Sequence, residues 1–141
     1  MTLKELSQLY YLNREIETDK KRLEKLKSQA QNPSSPNLTG MPGGVRDSRV
    51  EGYVAEIADL EAIISAKIIQ CLHERNRLER YISDIPDSLT RQIFTFRFIN
   101  GLSWDQCAAH IGGNSWKNLS NICYRYIEKD GQGKYEDNEE L

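Results

Sequence analysis

The 141-residue sequence is poor in the residues that build chemistry. It has three cysteines, Cys71, Cys107 and Cys123, and two histidines, His73 and His110. Each cysteine falls on an apolar position of a helical pattern, and no two stand at the spacing of a zinc site. Small buried hydrophobes in a reducing compartment are expected, not disulfides or metal ligands. No apolar run reaches the roughly 20 residues a membrane helix needs. The first residues, MTLKELSQLYYL, mix charge with leucine, unlike a secretion signal. The glycine-rich stretch GMPGG has no strand before it and no lysine where a phosphate loop needs one. No Ser-His-Asp or Cys-His grouping is brought together by the helical pattern. The expectation is a chain that is not an enzyme, with no cofactor, no metal and no membrane partner.

A strong charge of one sign is also missing. The net charge is −2. It divides into +2 over residues 1–31, +1 over 32–50, −2 over 51–83, +1 over 84–129 and −4 over 130–141. No segment offers a broad basic patch, so non-specific affinity for nucleic acid should be weak.

What is present is helical periodicity. Between Leu3 and Gln31, Leu9, Ile16, Leu23 and Ala30 recur every seven residues, with Leu12 and Leu26 between them. Asp19 interrupts this seam; a polar residue there costs stability and fixes register. Residues 32–48, NPSSPNLTGMPGGVRDS, are rich in proline and glycine and read as a flexible link between antiparallel helices. A second helix follows from Val50 to Ser83, with Val50, Ile57, Ile64, Cys71 and Leu78 at seven-residue spacing. Val54, Ile63, Ile68, Leu72 and Ile82 widen its apolar stripe beyond what one partner helix covers. Residues 1–83 are therefore expected to form a long, coiled-coil-like antiparallel hairpin. It would make a homodimer through Leu9, Ile16, Leu23, Ile57, Ile64 and Leu78.

Residues 84–129 have a different rhythm. Asp87 and Ser88 suit a helix start, with Ile85 as a hydrophobic staple. Leu89, Ile93, Phe96 and Ile99 follow at helical spacing, and Gly101 ends the helix. Ser103-Trp104-Asp105-Gln106 has the pattern of a capping box. Cys107, Ala108 and Ile111 form the inner face of a short helix, Gly112-Gly113 makes a turn, and Asn114 or Ser115 can cap a third helix. Leu119, Ile122, Cys123, Tyr126 and Ile127 give that helix one apolar face. Its other face carries Ser115, Trp116, Lys117, Asn118, Asn121, Tyr124 and Arg125.

The fold class expected is thus all-α, a helical hairpin followed by a three-helix helix-turn-helix unit whose last helix enters the major groove of double-stranded DNA. Trp116, Lys117 and Asn118 would face base edges, since Asn pairs with adenine at two points and Lys reaches guanine. Arg91, Arg97 and Lys129, with Arg125, would contact phosphates. A solvated polar face is the competing reading, and a tryptophan at a helix start also packs onto its own scaffold. The acidic tail, residues 130–141, is expected to be disordered.

The stretch RQIFTFRFINGLSWDQCAAHIG resembles the fourth region of bacterial sigma factors: an arginine-containing helix, a GLS corner, and a short helix with alanine before a glycine turn. That resemblance spans residues 84–129. The whole chain, with LYYLNREIE, the NLTGMPGG link and the long helices, is similar to short phage and prophage proteins of Gram-positive bacteria, sigma-like regulators of the RinA and ArpU kind. The resemblance implies a phage or prophage transcription regulator of late or packaging genes, in the cytoplasm of a bacterial host, with host RNA polymerase as a further partner. It implies structural roles for Ser103 and Ala108 and a reading helix over residues 115–125. Two features depart from the pattern. Gly113 lengthens the turn by one residue, and the reading helix is short of lysine and arginine.

Two other functions fit the same helices. A small terminase-like packaging subunit joins a similar DNA-binding unit to oligomerising helices. A coiled coil also suits a protein that holds a host machine such as RNA polymerase. A ring-sized assembly points to packaging and a dimer to regulation.

Overall fold

In the computed structural model the described residues are 1–31 and 44–139, with side chains described for 1–31 and 49–131. Their regular structure is all helical, with no strand among them. In chain order the elements are α1 (Leu3–Leu6), α2 (Gln8–Gln31), α3 (Gly44–Ser83), α4 (Ser88–Phe94), a π-helical turn (Thr95–Ile99), α5 (Trp104–Ile111) and α6 (Trp116–Glu139). They form two compact units, Met1–Tyr11 with Cys71–Leu141, and Leu12–Gln70.

The unit Leu12–Gln70 is a pair of helical segments. Leu12 and Ile16 of α2 and Leu60 and Ile64 of α3 are buried. Leu23, Leu26, Tyr53 and Ile57 are half-buried beside them. Asp19 is buried as well, and its Oδ2 accepts a hydrogen bond from Lys67 Nζ at 2.5 Å. Lys27 pairs with Glu61 at 3.4 Å. Rising numbers on α2 meet falling numbers on α3, so the paired segments run antiparallel. The hydrogen bond to Asp19 holds the Lys67 ammonium above the usual lysine value of 10.5. A single polar pair in an apolar seam fits in one register only, because any slip leaves both charges against aliphatic side chains.

Of the residues expected at a dimer seam, four are buried and two half-buried within one chain. Ile16, Ile64, Leu23 and Ile57 pack in this unit, while Leu9 and Leu78 are buried in the other. Val50, Val54, Ile63, Ile68 and Ile69 of α3 remain exposed.

Three boundaries differ from the sequence expectation. The helix expected from Leu3 to Gln31 breaks at Ser7, whose Oγ donates to the Leu3 carbonyl at 2.8 Å. The separate first turn, α1, has its own capping box from Thr2 and Glu5. The expected link over 32–48 lies outside the described residues up to 43, and residues 44–48 already belong to α3. The expected disordered tail is helical to Glu139, with residues 140–141 outside the described residues. The start of that stretch is anchored: Asp130 Oδ2 accepts from the Met1 amino group at 2.7 Å and from the Tyr81 hydroxyl at 2.8 Å.

The unit Met1–Tyr11 with Cys71–Leu141 is built around Phe94, which has no exposed surface. The rings of Phe98, Tyr126 and Tyr81 lie 5.2, 5.5 and 6.3 Å from it. Edge-to-face and tilted contacts of this kind add to the stabilisation from burial. Leu6, Leu78, Ile85, Ile93, Leu119, Cys107 and Cys123 complete the core. Phe94 and Phe98, four residues apart and so on one helical face, both point inward, and the chain takes a π turn after α4. The Asn100 N–H donates to the Thr95 carbonyl, five residues back, at 3.0 Å. The wider turn shifts the helical phase. Phe96 and Ile99, expected on the inner face, are half-buried, and Phe98 takes the core position.

The Asp19–Lys67 pair yields a test. Lys67→Met strands a buried carboxylate and lowers Tm, whereas Asp19→Leu combined with Lys67→Met recovers it or exceeds the wild type. Because the Lys67 pKa is raised, the pair's contribution is fully present below about pH 10.5 and fades as pH rises beyond that. Thermal melts of the wild type and both variants from neutral to strongly alkaline pH check both statements.

Candidate nucleic-acid interface

The face of interest is carried by α4 to α6. Asp87 opens α4: its Oδ2 accepts from the Thr90 N–H at 2.9 Å and from the Thr90 hydroxyl at 2.7 Å. The Thr90 hydroxyl and then its N–H hold the Asp87 carboxyl below the usual carboxylate range. Arg91 folds back onto this start, donating from Nη1 to the carbonyls of Ile85 and Pro86 at 2.7 and 3.0 Å. Arg97 does similar work at the next corner. Its Nη1 donates to the Leu102 carbonyl at 2.9 Å, and its guanidinium lies 4.8 Å from the Trp104 ring centroid. Both arginines, expected on phosphates, thus brace the fold.

Gly101 turns that corner at φ 67°, in the left-handed region that favours glycine. A Cβ there would lie 3.6 Å from the Tyr10 ring, so the N-terminal aromatic packs directly on the corner. Ser103 then caps α5 as expected. Its Oγ accepts from the Gln106 N–H at 3.2 Å, and its own N–H donates to Gln106 Oε1 at 2.9 Å. Cys107 is fully buried, and Ala108 and Ile111 are partly buried on the same side.

Residues 112–115 connect α5 to α6. Gly112 has φ 72° and ψ 159°, and Gly113 has φ 70°. Asn114 Nδ2 donates to the Gly112 carbonyl at 3.3 Å. Ser115 is the cap of α6, its Oγ accepting from the Asn118 N–H at 3.2 Å. The additional residue, Gly113, is absorbed as a second positive-φ glycine and leaves the capping of α6 intact.

The inner face of α6 is Leu119 and Cys123, both fully buried, with Ile122, Tyr126 and Ile127 partly buried. The outer face exposes Ser115, Trp116, Lys117, Asn118, Asn121, Tyr124 and Arg125, and Lys129 further along. All seven residues expected at the reading surface therefore share one exposed stretch. Several already have neighbours. Asn118 Nδ2 donates to Asn114 Oδ1 at 2.7 Å, and the Lys117 ammonium sits 5.7 Å from the Trp116 ring centroid. Tyr124 meets Trp104 edge-on at 6.1 Å.

Beside this face is a cleft of about 390 Å³, lined by Tyr10, Tyr11, Arg97, Trp104, Gln106 and Tyr124 among others. Tyr10 and Tyr11 were not anticipated as site residues. The signal was there: two adjacent aromatics between Leu9 and Leu12, off the apolar seam. Among the described residues there is no cluster of His, Cys, Asp and Glu that could hold a metal ion, and no helix is long and apolar enough to cross a membrane. Comparison with protein-family models, with curated proteins and with solved structures gives no match to this chain.

Two predictions follow from the turn and from the core beneath it. No atom lies within 4 Å of a Cβ built on Gly112, so Gly112→Ala tests backbone geometry alone. At its φ and ψ an alanine costs about 1–3 kcal/mol, read by urea unfolding. Burial raises the Cys107 thiol and pushes Cys123 up to about 12, so little thiolate forms at pH 8. Iodoacetamide under native conditions labels the half-buried Cys71 first, and peptide mass spectrometry reads the order.

Proposed function

We propose that the chain is a sequence-specific regulator of transcription that binds double-stranded DNA, with α4 to α6 as a helix-turn-helix unit and α6 as the reading helix. The antiparallel segments of α2 and α3 serve as a coiled-coil-like hairpin. The proposed assembly is a homodimer, formed through the exposed aliphatic residues of α3. The role is binding and not catalysis, and the phage or prophage setting rests on the whole chain's resemblance to short sigma-like phage and prophage regulators.

One observation carries this reading. A short capped helix ends at a glycine turn, and the helix after it buries Leu119 and Cys123 while exposing Lys117, Asn118, Asn121 and Arg125 together. Amide and cationic side chains on the first turns of an exposed helix are the groups that read base edges in the major groove. Arg91 and Arg97 are half-buried and each commits its Nη1 to backbone carbonyls, so the exposed cations that α6 offers to duplex phosphate are Lys117, Arg125 and Lys129, while Arg97 keeps its remaining N–H donors. Affinity then depends on two half-sites.

A second reading rests on Val50, Val54, Ile63, Ile68 and Ile69 of α3, aliphatic side chains left exposed beside its pairing with α2. A packaging subunit that closes a ring, or a protein that grips RNA polymerase, would use it.

The test is a mobility-shift selection from a pool of genomic fragments. Lys117→Ala with Asn118→Ala abolishes selection, at about 1–3 kcal/mol per lost base contact, while circular dichroism and light scattering stay unchanged. With about six phosphate-facing cations per dimer, the slope of log K against log salt is roughly −5. Unchanged selection by the double variant overturns the reading helix, and a ring in light scattering favours packaging.

A further inference from the structure

The cleft beside α6 has a composition that the proposed duplex contact does not use. Five of its lining residues are aromatic, Tyr10, Tyr11, Trp104, Tyr124 and the buried Phe98. Three of these rings are substantially open, at 40 % for Tyr10, 60 % for Tyr11 and 42 % for Tyr124. Arg97 is the single charged residue lining the cleft, and no carboxylate lines it. The cleft is held open by the fold: Tyr10 packs on the Gly101 corner, Arg97 covers the Trp104 ring, and Tyr124 stands edge-on to Trp104. Its volume of about 390 Å³ lies in the range of sites that enclose a small organic group.

A ratio of several π-faces to one cation discriminates between occupants. A duplex presents phosphates outward and hides its bases, so a duplex surface would want cations here and leave the rings idle. A nucleoside triphosphate brings several negative charges to a single guanidinium. An unpaired nucleotide brings one flat base and one phosphate, and base–aromatic stacking supplies most of the affinity for single strands. We infer that this cleft binds an unpaired nucleotide of a nucleic-acid strand, the base against Tyr11 and Tyr124 and the phosphate toward Arg97. The site lies outside the reading face of α6 and joins it at Tyr124. It enlists the N-terminal aromatic pair, which lies outside the three-helix unit. It stands independently of the duplex reading.

The chain contains two tryptophans, so Trp116→Phe leaves Trp104 in the cleft wall as the reporter. The full-length Trp116→Phe protein is titrated at low salt with oligothymidylate of about eight nucleotides, following Trp104 fluorescence. Saturable quenching is expected. Tyr11→Ala weakens it roughly tenfold and Tyr11→Phe retains it, since the ring and not the hydroxyl does the stacking. Tyr11 is the most exposed of the rings, so its removal leaves the fold intact. Lys117→Ala with Asn118→Ala leaves the quenching unchanged. If that double variant loses duplex selection alone, the two surfaces are separate; if it changes neither, the reading helix falls and the cleft stands. Absence of saturable quenching, equal binding by Tyr11→Ala, or equal competition from inorganic polyphosphate or a blunt duplex overturns the inference. Equal affinity for free thymidine monophosphate overturns the strand as its source.

Discussion

Everything around α6 depends on the ring of Phe94. From α4 it meets α3 through Tyr81, the π turn through Phe98 and α6 through Tyr126. Close packing makes such a centre intolerant of volume change. It also fixes which way α6 faces. With Leu119 and Cys123 held against this core, Lys117, Asn118, Asn121 and Arg125 must point away from it. The exposed polar face is therefore a consequence of apolar packing on the opposite side.

Much of this was legible in the chain. The capping box at Ser103, the stop at Gly101, the cap at Asp87 and the apolar face of α6 rest on local rules, because each needs only neighbours within one helical turn. The heptads of α2 and α3 were equally visible. The antiparallel pairing of the two follows from them, but which residues would also meet a second copy does not, because a heptad seam looks the same whether its complement lies in the same chain or in another. Leu9, Ile16, Ile64 and Leu78, which the pattern places on a dimer seam, are buried within one chain.

The less legible features share another cause: they depend on residues far apart in sequence or on small changes of helical phase. No periodicity reveals that Tyr10 lies on Gly101, or that Asp130 accepts from both Tyr81 and Met1. The arginines illustrate the same limit. Arg91 and Arg97 read as phosphate ligands by charge alone, yet each has a carbonyl within reach that only the folded corner supplies. A cation close to a turn satisfies orphan acceptors as readily as it meets an anion.

The π turn at Thr95–Ile99 has a consequence for how this chain can change over time. A helix that carries one extra residue in a single wide turn has absorbed an insertion without breaking its hydrogen-bond ladder. The elements before it keep their packing, and those after it are turned by the angle of one residue. A gene that lost a codon here would keep its hydrophobic composition and alter the direction of every side chain downstream. Such a place is where a lineage can re-aim a surface in one step, and where homologues would be expected to differ in length while sharing the same core.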